Sequence, residues 1–328
     1  MTVQNARSTI LELFRVAGDG FVSGARISRT LGVSRTAVWK KIEQLRLLGY
    51  AIEAVPSKGY RLQGSPDLLL PAEVSNALGT RHIGRQVIYF AQTDSTNLRA
   101  HELGKSGAPE GTVVLADSQT AGKGRLGRRW SSPAGVNLYA SVLVRPPVAP
   151  RHASQLTFLS AAAVARTVAE TASLPVSVKW PNDVLVAGRK IAGLLNELDA
   201  ETERIHYLVL GIGVNLNMTA DQFPEDLRYP ATSMLLATGR SVSRIDFTRC
   251  LLRHLDDLYE LYLTQGFVPV LEAWMSYFDL IGRAVEVDYH DRRVVGTVAG
   301  LDDDGALLLV LGDGSRERVL AGDVRPLK

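Results

Sequence analysis

Three glycines and four cations share residues 122–129 of the stretch AGKGRLGRRW (121–130), inside a run, 118–169, that contains no aspartate or glutamate. Gly122-x-Gly124-x-x-Gly127 matches the glycine pattern of a dinucleotide-binding turn, and its surroundings decide whether it is one. Such a turn needs a helix opening at the third glycine, so that the helix N-terminus meets a pyrophosphate. Here Arg128-Arg129-Trp130-Ser131-Ser132-Pro133-Ala134-Gly135 follows, which starts no helix. The turn also needs a carboxylate about 20 residues on for a ribose hydroxyl, and the acid-free run supplies none. A dinucleotide-binding fold is excluded at this point. What remains is a loop whose glycines let backbone approach a ligand closely and whose fixed cations neutralise phosphate charge. A flexible basic loop for nucleic acid has the same composition, but Trp130 and the strand after it favour a loop folded over a ligand.

At 328 residues the chain exceeds one typical domain, and two or three are expected. Hydrophobic content of 46% and charged content of 22% fit an ordinary globular protein. One cysteine, Cys250, excludes a disulfide framework or a cysteine-based metal cluster. The histidines (82, 101, 152, 206, 254 and 290) are scattered without ligand spacing, so no structural or catalytic zinc is expected. Arg7 and Glu12 interrupt the first turns where a signal peptide would be apolar, and no apolar run reaches membrane-spanning length. The expectation is a cytoplasmic protein with no membrane partner.

The net charge of +3 conceals an asymmetry. Residues 1–64 hold 10 Lys/Arg against 4 Asp/Glu, a net of +6; the remainder holds 27 against 30, a net of −3. The basic excess thus sits on one small N-terminal segment, as suits a module that meets a polyanion. Ile10, Leu13, Phe14 and Ala17 recur at helical spacing. Ser23 can cap a second helix, Gly24–Leu31, and Ser34 a third, Arg35–Leu48, with Val38, Ile42, Leu45 and Leu48 inward and Gly49 closing it. Two helices joined by a short glycine-containing turn form a helix-turn-helix. The next segment, GYAIEAVPSKGYRL (49–62), reads as a β-hairpin, which completes a winged helix. Ser34, Arg35, Thr36 and Lys40 then face bases or phosphates, with Lys58 and Arg61 on the wing. The alternative is an interaction module whose lysines merely keep it solvated. Trp39 fits either a place beside the core or exposure at the DNA face.

A short linker, QGSPDLLLPAE (63–73), ends in Pro71 as a first helical residue. Strand and helix candidates then alternate. RQVIYFA and GTVVLADS flank a helix from about Ser95 to Lys105; NLYASVLVR is a strand and 152–172 a long apolar helix. VSVKW, VLVA, KIAGLLNEL and IHYLVLGIGVNL add strands to a large mixed sheet, and helices near 245–265 and 268–279 close the domain. In 282–328, short strands broken at His290-Asp291, Asp302–Gly305 and Gly312–Gly314 suggest a small SH3-like β-barrel. The aspartates of that segment lack spaced partners for calcium and read as a turn. The expected organisation is α+β in three parts: 1–64, 65–281 and 282–328.

DSTN (94–97), QTAGKGRLGRRW (119–130), KWPNDV (179–184), GRKIAGLLNE (188–197) and GIGVNL (211–216) occur together in one order. In this the chain resembles the biotin protein ligases over essentially its whole length. The N-terminal module makes it most similar to the bifunctional form that also represses biotin synthesis genes. The resemblance implies a biotin/lipoate ligase-type catalytic domain. It also implies ATP and biotin as substrates with Mg2+, and as partners a biotin carboxyl carrier protein, operator DNA and a second copy of the chain when the adenylate is bound.

Residue roles follow from the resemblance. Ser95, Thr96, Asn97 and Gln119 would line the pocket for biotin's neutral ureido ring, with Lys123, Gly124, Arg125 and Lys190 at its other end; Ser95 and Thr96 also suit helix capping. Lys190 would bridge the biotin carboxylate and the α-phosphate, while Lys123, Arg125 and Arg128 hold phosphate oxygens or order the loop. Lys123 stands where the family usually has arginine, keeping charge but not the bidentate fork. Leu126 stands at a commonly polar position and is expected under the closed loop. Asn182 and Asp183 would lie near the adenylate and the magnesium or acceptor-lysine region, Asn215 near adenine and phosphates, and Trp130 over the adenine. Lys179 suits either ATP binding or a structural role. Two further readings stand beside this one: a lipoate or octanoate ligase on the same fold, whose arginine- and glycine-rich signature is missing here, and a DNA-binding regulator that senses a nucleotide without ligase activity.

Overall fold

Local capping chemistry builds the N-terminal part as expected. In the computed structural model, which describes residues 3–289 and 292–327, the chain separates into two units, Met1–Leu68 and Leu69–Lys328. The first holds α1 (Val3–Ala17), α2 (Gly24–Leu31), α3 (Arg35–Leu47) and the antiparallel hairpin β1 (Ala51–Val55) and β2 (Gly59–Gly64). The Ser23 hydroxyl accepts the Arg26 N–H at 3.1 Å and the Ser34 hydroxyl accepts that of Ala37 at 3.2 Å, so each serine satisfies one orphan donor of the helix it opens. Ile10, Phe14, Ile27, Leu31, Val38, Ile42 and Leu45 are buried and form this unit's own core.

The second unit contains, in order, α4 (Pro71–Val74), β3 (Gln86–Phe90), α5 (Thr96–Lys105), β4 (Thr112–Ala116), β5 (Leu138–Val144), α6 (Gln155–Ala172), β6 (Val176–Lys179), β7 (Asp183–Val186), β8 (Arg189–Ala200) and β9 (Ile205–Val214). It continues with α7 (Met234–Thr238), α8 (Arg244–Gln265), α9 (Val268–Met275) and five strands: β10 (Ala284–Tyr289), β11 (Arg292–Leu301), β12 (Leu307–Val310), β13 (Arg316–Val319) and β14 (Asp323–Pro326). Seven strands form a sheet in the order β3-β4-β5-β9-β8-β7-β6, with β3 and β4 parallel and every other pair antiparallel.

Period-two alternation assigns the two faces of this sheet. Leu138, Ala140, Val142 and Val144 of β5, Ala192 and Leu194 of β8, and Leu208, Leu210, Ile212 and Val214 of β9 point into one large core with α6, α8 and α9. The intervening residues of β5, Tyr139, Ser141 and Leu143, face the other way, towards α5, as do Tyr207 and Val209 of β9. The same parity puts Gly193, Leu195, Gly211 and Gly213 on that second face. Glycine there removes side chains from the middle of the sheet.

The C-terminal segment is consistent with the expected SH3-like fold, except that the barrel is not closed. Its strands form an antiparallel sheet in the order β13-β12-β11-β10-β14, with β13 and β14 at opposite edges, so the expected barrel is an open sheet. Closure depends on edges meeting across the whole segment, which strand spacing does not encode. Val285, Val287, Val298, Leu307, Leu309, Val319 and Val324 join the same core as the seven-stranded sheet. The break read at His290-Asp291 lies outside the described residues. No described helix is long and apolar enough to cross a membrane.

Candidate functional site

The glycine face of the large sheet floors a cleft lined by Ser95, Thr96, Asn97, Gln119, Lys123, Gly124, Arg125, Trp130, Asn182 and Lys190 besides Gly193, Leu194, Leu195, Gly211, Ile212 and Gly213. Of the expected biotin and catalytic residues, all but Asp183 line it, and Asp183 is bound to one that does. Its mixture of apolar floor and a few convergent polar groups suits a small organic molecule.

One end is neutral and polar. Ser95 is the N-cap of α5 yet makes no side-chain cap bond, so its capping role falls away. Gln119 Oε1 accepts the Thr96 N–H at 2.8 Å, and Gln119 Nε2 donates to the Ser132 hydroxyl at 2.9 Å. Asn97 Nδ2 donates to Glu197 at 2.6 Å and to the Leu195 carbonyl at 3.1 Å, while its Oδ1 accepts from the Ser141 hydroxyl at 2.6 Å. These bonds fix which amide atoms face the cleft. Sequence reasoning missed Ser132, Ser141 and the glycine floor, although the alternation in GLLNE and LGIGV marked the latter.

The other end is cationic. Lys190 Nζ pairs with Asp183 Oδ1 at 2.6 Å, and Arg125 Nη1 donates to Asn182 Oδ1 at 2.8 Å. Burial lowers the Arg125 pKa, with the Asp323 and Asp183 charges opposing the shift. An arginine stays charged at any physiological pH, so a partly desolvated fixed cation remains. Trp130 lies over the floor: a Cβ on Gly213 would stand 2.6 Å from its indole and one on Gly193 2.8 Å. Lys190 Nζ is 5.5 Å from the same ring. The buried Trp130 Nε1 makes no hydrogen bond among the described residues, a donor left for a ligand acceptor.

The basic loop is a narrow turn rather than a helix start. Trp130 N–H donates to the Gly122 carbonyl at 2.9 Å and Gly124 N–H to the Arg128 carbonyl at 2.7 Å. Gly122 is required because a Cβ would stand 2.6 Å from the Trp130 carbonyl, and Gly127 because its φ is +72°. Leu126 is 77% exposed, so it does not pack under the loop.

Three expected ATP residues point elsewhere. Arg128 donates to Asp323 Oδ2 of β14 at 2.6 Å, Lys179 lies 3.5 Å over the Tyr229 ring, and Asn215 is buried, donating to the Thr232 carbonyl at 3.1 Å. Arg128 therefore orders the loop instead of contacting the cleft. Burial works against the Asp323 carboxylate, but the Arg128 bond and the Arg128, Arg228 and Lys179 charges together hold its pKa below the ordinary value. A depressed carboxylate contributes its stability above the unfolded pKa and loses it as pH falls through the folded one, so this latch holds at neutral pH and loosens only in acid. Asp323→Asn should expose the loop: the bond is worth ~1 kcal/mol after allowing for Arg128's exposure, about fivefold in opening. Trypsin cleavage within 123–129 at neutral pH measures it, and an unchanged rate rules the latch out.

The α3 cap Ser34 and, on α3, Arg35, Thr36 and Lys40 are exposed, and so is Trp39 at 53%, which settles its place outside the core. Lys58 is exposed on the wing. Arg61 is committed, with Nη2 2.6 Å from Glu53 Oε2 and its guanidinium 4.7 Å over Phe21, so it braces the wing rather than presenting a free cation.

Comparison with known proteins agrees with this geometry. Residues 89–215 match the biotin/lipoate A/B protein ligase family, 6–61 an HTH domain, and 280–325 the biotin protein ligase C-terminal domain. The bifunctional ligase/repressor BirA of Bacillus subtilis is 40% identical over 97% of this chain and 98% of its own, and that of Escherichia coli 34% identical over 91% of each. The structure of the biotin protein ligase from Aquifex aeolicus in complex with biotin and ATP superposes with a TM-score of 0.64 at 28% identity, covering 74% of this chain and 99% of that one.

Proposed function

This chain belongs to the family of bifunctional biotin ligases and repressors, and from that premise we propose that its cleft joins biotin to AMP and passes biotin on to a carrier lysine. A biotin carboxylate oxygen attacks the α-phosphorus of ATP and pyrophosphate leaves. The carrier lysine amine then attacks the acyl carbon of the mixed anhydride and AMP leaves. Both reactants of the first step are anions, so catalysis is charge neutralisation and positioning. The observation that carries this reading is the polarity of one cleft: amide and hydroxyl groups of Thr96, Asn97 and Gln119 at one end, Lys190, Arg125 and Lys123 at the other. The first set suits a ureido ring, the second a carboxylate meeting a phosphate. The unpaired Trp130 N–H suits an acceptor on the bound substrate.

Magnesium would find Asp183 as the carboxylate at the cationic end, with phosphate oxygens and water completing its shell, and would neutralise the leaving pyrophosphate. Asp183 is paired through Oδ1 with Lys190. Incubation with labelled biotin, MgATP and an apo biotin-carrier domain tests the reading. Label should pass to the carrier; adenylation that responds to lipoate or octanoate but never to biotin overturns it.

The winged helix makes the same chain a biotin-responsive repressor of biotin synthesis genes. One winged helix reads only a few base pairs, so a useful operator is an inverted repeat bound by two copies. The adenylate promotes that pairing, and carrier protein that consumes it relieves repression. A coupling of a few kcal/mol suffices. Operator affinity should rise with biotin plus ATP, fall steeply with salt and fall again on adding apo carrier. Arg35→Ala should weaken operator binding and leave ligation intact. Trp39→Ala should cost about 1–3 kcal/mol of sequence discrimination, as loss of a base-edge contact does, without changing the salt slope. Equal affinity for operator with and without the adenylate would contradict the coupling.

A further inference from the structure

Cys250 and His254 stand four residues apart on α8, on one face of the helix, and the neighbouring helix α6 brings Glu170 against them. His254 Nε2 is 2.9 Å from Glu170 Oε2, and the cysteine sulfur, imidazole nitrogen and carboxylate oxygen all lie within 4.8 Å of one another. Cys250 and His254 are half-buried and Glu170 is exposed, so one side of the trio opens to solvent. None of the three lines the cleft. Sequence spacing had suggested no metal ligands because the third donor sits on another helix, 80 residues before the cysteine.

We propose that Cys250, His254 and Glu170 form a binding site for a zinc-class divalent transition metal, with water as the fourth ligand, that ties α6 to α8. Ligand atoms around one tetrahedral zinc stand ~3.3–3.8 Å apart, given bonds of ~2.0–2.3 Å. The three donors therefore reach that geometry by side-chain movements of less than about 1 Å. A thiolate and an imidazole select zinc or cobalt over magnesium or calcium, which prefer oxygen donors. Binding replaces the thiol proton: the sulfur–hydrogen bond breaks, the sulfur–metal bond forms, and one proton leaves to solvent for each ion bound. The imidazole binds through Nε2 as its neutral tautomer, with the ring proton on Nδ1, and Glu170 binds through its carboxylate, exchanging the hydrogen bond between them for bonds to the metal.

Cobalt titration of the full chain, first stripped with a chelator, tests the site. A near-ultraviolet sulfur-to-cobalt charge-transfer band should grow to saturation at one equivalent and bleach on adding zinc. Cys250→Ser should remove the band. His254→Ala and Glu170→Gln should weaken cobalt binding at least ~10-fold, since even the loss of an outer-shell partner has that effect. Zinc should raise the melting temperature of the wild type and not that of Cys250→Ser, whose unliganded melting temperature reports whether it folds. A wild type with no thiolate band at millimolar cobalt overturns the proposal, as does a band that survives Cys250→Ser. Metal bound at the magnesium end of the cleft has no thiolate and cannot mimic the signal.

Discussion

Lys190→Ala will lower the rate of adenylate formation by on the order of 10²–10³, the loss typical of removing one preorganised charge from a developing anion, in a chain that stays folded. The side chain is a quarter exposed and its Nζ is 2.6 Å from Asp183, so the cation is held in place before substrate arrives. The backbone does not depend on it: Lys190 N–H donates to the Pro230 carbonyl and its own carbonyl accepts the Thr232 N–H. Removing the ammonium also strips Asp183 of its partner. An uncompensated carboxylate would then face the phosphates, adding repulsion to lost attraction. Lys190→Ala combined with Asp183→Ala should consequently be less damaging than the sum of the two, because contacting charges are coupled. Biotin-dependent exchange of pyrophosphate into ATP reads both variants. A single variant within a few-fold of wild type refutes the assignment.

Gly211→Ala will raise the KM for biotin by ~10–100-fold with kcat much less affected. Its Cβ would stand 2.3 Å from Asn97 Oδ1 and 2.6 Å from the Leu195 carbonyl. Asn97 can move only by breaking bonds to Ser141, Glu197 and Leu195, and the carbonyl belongs to the cross-strand partner in the β8–β9 ladder. Overpacking of this kind costs about 1–3 kcal/mol, which at the floor of a binding site appears as lost ground-state and transition-state binding alike, hence in KM. Gly312→Ala, where a Cβ meets nothing within 4 Å, is the control and should match wild type. Unchanged biotin KM in Gly211→Ala would mean that the floor is not the biotin site.

The elements legible in the sequence were those set by neighbours in the chain. Ser23 and Ser34 placed two helix starts because the hydroxyl and the N–H it accepts are three residues apart. The same locality excluded a dinucleotide turn at Gly122–Gly127, and the structure shows why in the backbone bonds that fold 122–130 onto itself. Contacts the sequence did not announce depend on distant partners. Arg128 meets Asp323, 195 residues later, which is the loop-ordering alternative; Lys179 meets Tyr229 and Asn215 meets Thr232. No spacing rule reports such meetings. The glycine floor is a third case: its alternation was in plain view, but side-chain absence signals a cleft only once the opposite face is known to be packed.

The two ends of the chain differ in how they can be exchanged over evolutionary time. The winged helix carries its own core within Met1–Leu68, so a recombination event near residue 68 can add, drop or replace it together with that core. The five C-terminal strands offer no such seam. Their inward valines and leucines share one core with the large sheet, and the Gly305 carbonyl accepts the indole N–H of buried Trp180, two residues before Asn182. A gene fusion or stop codon that removed those strands would leave the cleft's own supports facing water. DNA recognition is thus an accessory that can come and go by descent, while the C-terminal strands can only be inherited together with the chemistry.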